Sequence, residues 1–250
     1  MEDSRPQGLA HTPAGSEFDP YTVVSPLVVD WRAWHRYYED PDSPLAQRLV
    51  LVQSQIAAVL DRAKPGQIRA ISFCAGQGHD LIGALAGHAR RADVTARLVE
   101  LDEDNALFAR AAAREAGLTR VEVSAADAST SDAYVGAVPA DLILLCGVFG
   151  NIADADIAKT ISYLPMLSAP SATVIWTRHR HPPDLVPFIR DAFRDAGFEE
   201  LTFEELAFED SPPFGVGANC LLARPQPFTS GVRLFEFVGY DLLRPELASR

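Results

Sequence analysis

The residues in the first half of the chain with the clearest chemical meaning are two glycines and an acid. Gly76 and Gly78 follow a short apolar run, and Glu100 ends a second apolar run 22 residues after Gly78. Glycine lets a backbone turn tightly and approach a ligand, and the helix that follows offers N–H groups to negative charge. An acid at the end of the next strand can accept from both hydroxyls of a ribose. The spacing therefore predicts a nucleoside-type ligand.

The glycine pair alone has little specificity. A dinucleotide-binding G-x-G-x-x-G sequence needs a third glycine at the position of Leu81, so this motif is incomplete. A tight turn that binds no ligand is the alternative interpretation. His79 lies inside the loop, and we expect it to orient the turn.

Two later segments strengthen the prediction. Asp127 and Ala128 follow a third apolar run, where a carboxylate and a backbone N–H can pair with the edge of an adenine ring. Cys146 and Gly147 end a fourth run, and their small side chains would let a ligand lie across the strand end. Because ligands of doubly wound sheets bind at the carboxyl ends of the strands, these signals predict one crevice.

The elements that must position these residues alternate between strand and helix, which predicts a parallel sheet covered on both faces. Two strands follow each other near the C-terminus without a helix, so we expect the last strand to be antiparallel. Residues 234–238 would add an edge strand or pack on the surface. We divide the chain into a flexible arm (1–20), an N-terminal helical lid or extension (21–64) and one binding domain (65–250).

Residues 68–151 resemble the class I S-adenosylmethionine-dependent methyltransferases. The resemblance lies in the turn Ser72-Phe73-Cys74-Ala75-Gly76-Gln77-Gly78, in Val99-Glu100-Leu101 and Asp127-Ala128, and in the run from Asp141 to Phe149. It implies a Rossmann-like, doubly wound α/β fold with a seven-stranded sheet, the last strand antiparallel, and S-adenosylmethionine as the cofactor. The cofactor-binding residues that it implies are Ser72, Cys74, Ala75, Gly76, Gln77, Gly78, Asp80, Glu100, Leu101, Asp127, Ala128, Cys146 and Gly147.

Two positions depart from the family. It often has an acid where Ser72 stands and a glycine where Cys74 stands. The contact to the methionine ammonium would then come from Asp80 or from the N-terminal segment.

Three residues are candidates for catalysis. His35 lies among the aromatic residues Trp31, Trp34, Tyr37 and Tyr38, which could enclose the acceptor or dock a helix on the sheet. His179, with His181, follows the fifth strand and could act as a base. Asn151 could reach the acceptor from the loop after the fourth strand. No carboxylate set at this end predicts a metal site, so we expect a metal-independent enzyme.

Composition narrows the choice of partner. The formal net charge is −12, which repels nucleic acid, and no apolar run is long enough for a membrane span. The three widely spaced cysteines are expected as free thiols in a cytoplasmic protein. We expect a small-molecule acceptor, and a homodimer is an open option.

We therefore predict a methyltransferase that acts on oxygen or nitrogen of a small molecule. The richness in alanine and arginine favours bacterial specialised metabolism. Three alternatives stay open: an enzyme with the same cofactor that acts on a macromolecule, one with non-methylating chemistry, and a non-catalytic binding module.

Overall fold

A computed structural model describes residues 36–208, 213–239 and 243, in which strands and helices alternate. The strands are Ile68–Phe73 (β1), Val94–Glu100 (β2), Val121–Ala125 (β3), Ala140–Leu145 (β4), Ser168–His179 (β5), Phe198–Leu206 (β6) and Phe214–Leu221 (β7). The helices are Pro44–Arg62 (α1), His79–Ala86 (α2), Glu103–Glu115 (α3), Asp154–Leu167 (α4) and Val186–Asp195 (α5), with short 3-10 helices at Arg36–Glu39, Arg91–Asp93 and Ser131–Tyr134. His35, Trp31, Trp34 and the arm predicted over residues 1–20 lie outside the described residues.

The seven strands form one sheet in the order β3-β2-β1-β4-β5-β7-β6. Strand β1 pairs in parallel with both β2 and β4, so the strand order reverses at the centre of the sheet. Strand β7 runs antiparallel to β5 and β6. The predicted fold class is confirmed, and the loops after β1 to β5 meet at one edge.

Both faces of the sheet are covered by apolar side chains. Helices α1, α2 and α3 pack on one face, where Ile56, Leu81 and Ala109 are fully buried. Helices α4 and α5 cover the other face through residues such as Ile161 and Phe193. A sheet buried on both sides in this way positions the strand ends rigidly.

Helix α1 belongs to this core, although its sequence lies in the predicted N-terminal extension. The Ser43 hydroxyl caps the helix by accepting from the Ala46 N–H at 3.1 Å, as the Ser-Pro pair predicts. At the other end, the Arg90 guanidinium donates to carbonyls around the helix terminus, among them Ala63 O at 2.6 Å. The helix is thus capped locally at its first end and tied at its last end to the segment before β2.

The sequence predicts the last strand over residues 219–223, whereas strand β7 begins five residues earlier, at Phe214. Its early part contains Gly215 and Gly217, which have no apolar side chain to signal a strand. A Cβ on Gly217 would lie 2.3 Å from Cε2 of Trp176, and one on Gly215 would lie 2.5 Å from Cζ of Phe203. The glycines therefore make room for aromatic rings on the neighbouring strands.

Residues 224–239, which we call the C-terminal strap, run back across the sheet's carboxyl edge. Leu234 and Phe235 are buried in the core beside α4, and single β-bridges join Arg233 to Thr130 and Phe237 to Ile152. The segment predicted as an edge strand or a surface segment forms single bridges to two loops, and two of its side chains, Leu234 and Phe235, are buried. Among the described residues, no helix has the length and apolar character needed to cross a membrane.

Candidate functional site

The loop after β1 folds through a run of left-handed backbone conformations. Cys74, Gly76 and Gly78 have φ angles of 45°, 54° and 74°. A Cβ on Gly78 would come within 2.6 Å of Cδ1 of Ile82 and 2.9 Å of Cδ2 of Leu98. Glycine at position 78 therefore lets α2 start directly against the sheet, while the predicted approach to a ligand stays a prediction.

Glu100 joins this loop to the end of β2. Its Oε2 accepts from the Gly76 N–H at 2.6 Å, and its Oε1 accepts from the Asp102 N–H at 2.8 Å. Burial raises the pKa of Glu100, and these backbone hydrogen bonds oppose that rise. The carboxylate is half-buried and fixed in orientation, with lone pairs remaining for a ligand.

Asp127 follows β3 and is exposed. Its Oδ1 accepts from the N–H and the hydroxyl of Ser129, at 2.9 and 2.5 Å, and Nη1 of Arg233 lies 3.4 Å from its Oδ2. Partial burial raises the pKa of Asp127, but these hydrogen bonds and the guanidinium outweigh burial, so the pKa is lower than usual. The site thus holds a second carboxylate in a defined orientation.

Cys74 lies between the two acids. Burial raises the pKa of its thiol, and the charges of Glu100 and Asp127 raise it further. The side chain packs on the core face that contains Phe73 and Tyr134, and the Tyr134 hydroxyl donates to Ala128 O at 2.9 Å. The structure therefore brings Cys74, Glu100 and Asp127 together as predicted.

Four further side chains form a polar cluster on the other side of the glycine loop. Burial raises the pKa of Asp80, which is hydrogen-bonded to the Cys146 thiol and feels the charge of Arg48. The Arg48 guanidinium donates to the Tyr38 hydroxyl at 2.8 Å and lies 5.5 Å from the ring centroid of Phe214. A buried cation and a half-buried carboxylate thus stand at one end of the crevice.

Sequence reasoning missed the site role of Arg48, although a signal was present. Arg48 lies three residues after Leu45 and four before Val52, on the apolar stripe of α1. A charged residue within such a stripe is buried only with suitable partners, which here include Tyr38. The contribution of Phe214 required the fold, since β7 reaches the site only through the sheet order.

The loop after β4 is held from several directions. The Gly147 N–H donates to Thr177 Oγ1 at 2.9 Å, and Arg178 donates to Phe149 O. The Asn151 amide donates to Gly147 O at 2.7 Å, which closes the loop on itself. Asn151 therefore shapes the loop here, and its catalytic role stays a prediction.

His179 is buried at the end of β5, beside Phe214 in the strand register. Its Nδ1 accepts from the His181 N–H at 3.2 Å, so this geometry assigns the ring proton to Nε2. His179 lies at the ligand end of the sheet, as predicted, and its role as a base is untested.

The other predicted site residues differ in their location and in their exposure. Ser72 is buried within β1, so its hydroxyl belongs to the interior of the sheet. Gln77 bridges to Asn105 Oδ1 at 3.2 Å and to His79 at 3.1 Å, which matches the expected role of His79 in the turn. The remaining members of the set differ in exposure: Ala128 is buried, Ala75 is half-buried, and Leu101 is 73% exposed.

The described residues contain no cluster of side chains that could bind a metal ion. Within residues 36–208, 213–239 and 243, no group of three or more His, Cys, Asp or Glu side chains could hold a metal ion.

Comparison by sequence finds no match: no family model and no curated protein is similar to the chain. Comparison by structure finds matches. Magnesium protoporphyrin IX methyltransferase from Synechocystis PCC 6803, with bound SAM, matches at a TM-score of 0.59 and 14% identity over 83% of this chain and 100% of that one. An O-methyltransferase family protein from Burkholderia thailandensis matches at 0.54 and 18% identity, over 81% and 61% of the two chains.

The CurJ carbon methyltransferase matches at a TM-score of 0.62 and 15% identity, over 82% of this chain and 62% of that one. The chain thus spans less than two thirds of these last two structures. At such identities the similarity shows the fold: the chain has the fold of S-adenosylmethionine-dependent methyltransferases.

Proposed function

We propose that the chain is an S-adenosylmethionine-dependent methyltransferase that acts on oxygen or nitrogen of a small molecule. The observation that carries the proposal is the Glu100 carboxylate, locked onto the Gly76 N–H at 2.6 Å. It stands at the end of β2, the strand next to β3, which Asp127 follows. Two oriented acids at neighbouring strand ends suit the two polar parts of an adenosine.

Each part of the nucleoside has a chemical counterpart. Glu100 would accept from the two ribose hydroxyls, and Asp127 from the adenine amino group. Ala128 would offer its N–H to the ring, and the exposed Leu101 side chain would cover one ring face. Cys74 would form the wall between the two acids. We call these residues the adenosine side.

The polar cluster fits an amino acid, which carries one positive and one negative group. Asp80 would pair with the ammonium and Arg48 with the carboxylate, while Tyr38 orients Arg48 through its hydroxyl. This assigns to Asp80 the contact that the family often makes with the acid missing at Ser72. We call Tyr38, Arg48, Asp80 and Cys146 the methionine side.

When bound, S-adenosylmethionine supplies an electrophilic methyl group on a sulfonium. The protein's contribution is to align the acceptor in line with that methyl and to exclude water. An oxygen or nitrogen acceptor also has to lose a proton, and His179, at the carboxyl end of β5, is our candidate base. Its Nδ1 would first have to release the His181 N–H, because Nε2 carries the ring proton in this geometry.

The acceptor that we propose is a small molecule. A net charge of −12 disfavours nucleic acid, and the solved methyltransferases of this fold include one named for a porphyrin substrate. We propose a metal-independent cytoplasmic enzyme of bacterial specialised metabolism. The three cysteines are free, which agrees with a reducing compartment.

Calorimetric titration with S-adenosylmethionine, S-adenosylhomocysteine and NAD tests the cofactor. We expect both sulfur nucleotides to bind and NAD to show no heat of binding, because the glycine motif lacks the third glycine of the dinucleotide pattern. Binding of NAD alone, or of none of the three, would overturn the proposal.

A further inference from the structure

The C-terminal strap contacts the loop that carries Asp127 through main-chain hydrogen bonds. The Ser131 N–H donates to Val232 O at 2.9 Å, and the Leu234 N–H donates to Ser129 O at 2.8 Å. The Gly231 N–H donates to Asp132 Oδ1 at 2.8 Å. The loop after β3 is therefore paired with the strap over several residues.

Two buried side chains anchor the strap at this point. Leu234 and Phe235 are 0% and 1% exposed, and the Phe235 ring lies 6.4 Å from that of Phe73. The Thr160 hydroxyl also donates to Leu234 O, at 3.2 Å. The backbone on the C-terminal side of Arg233 is thus fixed by the core.

Arg233 extends from this anchored backbone to the adenosine side. Its Nη1 donates to Ser129 Oγ at 2.6 Å and lies 3.4 Å from Asp127 Oδ2. Ser129 Oγ in turn donates to Asp127 Oδ1 at 2.5 Å. A continuous polar chain therefore runs from the strap to the carboxylate that faces the adenine position.

We propose that Arg233 is a positioning residue that sets the orientation of Asp127 and thereby the recognition of the adenine amino group. The proposal rests on the assignment of Asp127 to adenine. Arg233 acts through Ser129 and Asp127 and need not touch the ligand. The strap makes adenine recognition depend on a segment more than 100 residues away in sequence.

The test uses two ligands that differ at one position of the ring. S-adenosylhomocysteine carries the 6-amino group, and S-inosylhomocysteine carries an oxygen there. We expect Arg233→Ala to weaken the binding of S-adenosylhomocysteine about two- to fivefold, the range for an exposed charged pair, and that of S-inosylhomocysteine by less than about 1.5-fold. The preference for the amino ligand therefore falls.

Matched variants separate positioning from loss of structure. Arg224→Ala removes the same charge from the same strap, where its side chain is exposed and makes no hydrogen bond or ion pair within the described residues. We expect it to bind like the wild type. Arg233→Lys should restore most of the preference, and Arg233→Gln replaces the alanine variant if that one does not fold. In an Asp127→Asn background, Arg233→Ala should have no further effect.

The outcomes are distinguishable. Equal weakening of both ligands, additive effects in the double variant, or affinity equal to that of Arg224→Ala would each overturn the role of Arg233. Failure of the wild-type protein to bind S-adenosylhomocysteine would overturn the proposed function, and this inference with it.

Discussion

The adenosine side and the methionine side of the crevice are built in different ways. Glu100 and Asp127 come from loops after neighbouring strands, and each carboxylate is fixed mainly by groups within two residues of it or in the adjacent loop. On the methionine side, Arg48 comes from α1, packs on Phe214 of β7 and acts on Asp80 of α2. The adenosine side is fixed mainly by neighbouring loops, with Arg233 added from the strap, whereas the methionine side joins a helix, a distant strand and the start of another helix.

The two sides also differ in charge. The adenosine side holds two acids with opposite pKa shifts, raised in Glu100 by burial and lowered in Asp127 by its hydrogen bonds and Arg233. The methionine side sets a cation against a carboxylate whose pKa is raised by burial. The first side therefore suits neutral hydroxyl and amino donors, while the second suits a zwitterion.

The largest expected effect is on the adenosine side. Glu100→Ala removes the acceptor for both ribose hydroxyls and releases the Gly76 N–H. We expect affinity for S-adenosylhomocysteine to fall by about 1.5–3 kcal/mol, or roughly 10- to 150-fold, measured by calorimetry. Glu122→Ala, on the exposed face of β3, is the matched control and should bind normally. Unchanged affinity in a folded Glu100 variant would show that the site lies elsewhere.

A variant on the methionine side should distinguish ligands that carry the amino acid group from ligands that lack it, which Glu100→Ala should not do. Arg48→Met keeps the apolar stem and removes the cation. We expect S-adenosylhomocysteine to bind about tenfold more weakly, near 1.4 kcal/mol, while 5′-methylthioadenosine, which lacks the amino acid, changes by less than about twofold.

Arg62→Met, in the last turn of the same helix and exposed, serves as the control for Arg48. If Arg48→Met lowers the affinity for both ligands equally, Arg48 supports the fold of the pocket and does not bind the amino acid group.

Asp80→Asn should move affinity and stability in opposite directions. Burial raises the pKa of Asp80, and a carboxyl whose pKa is higher in the folded state destabilises the fold at pH values above that pKa. This cost disappears as the pH falls below the pKa of the unfolded state. We expect the variant to melt at a higher temperature than the wild type at pH 8, with a smaller difference at lower pH.

The same variant should bind S-adenosylhomocysteine about threefold to tenfold more weakly, because an amide does not pair with an ammonium as a carboxylate does. Thermal melts and calorimetry on one preparation check both effects. A variant that loses stability at pH 8 would contradict the assigned cause of the pKa shift.

The smallest effect is expected at Cys74. Its φ of 45° is unfavourable for a side chain, and Cys74→Gly relieves that strain at a cost in chain entropy and packing. Because these contributions are each about 1 kcal/mol and opposite in sign, the free energy of unfolding should change by less than about 1 kcal/mol. Denaturant titration measures it. If the free energy of unfolding falls by more than about 2 kcal/mol, the thiol packs more tightly than its half-buried position indicates.

The comparison also explains what could be predicted from sequence. The alternation of strands and helices and the resemblance of residues 68–151 predicted the fold, and short motifs at strand ends placed Gly78, Glu100 and Asp127 at one edge of the sheet. The early part of β7 was missed because Gly215 and Gly217 leave space for Phe203 and Trp176, which no local pattern reveals.

The strap was missed for a related reason. Leu234 and Phe235 read as a short apolar pair, and only the packing beside α4 shows that they are buried. Arg48 carried a signal on its helix stripe, but its partners lie on three other elements. Residues whose role depends on distant packing therefore escaped prediction.

A crystal structure with S-adenosylhomocysteine is the most direct test of the central claim. We predict the ribose hydroxyls within hydrogen-bonding distance of Glu100, the adenine amino group at Asp127, and the amino acid group between Asp80 and Arg48. A ligand that binds outside this crevice, or whose ribose faces away from Glu100, would contradict the account.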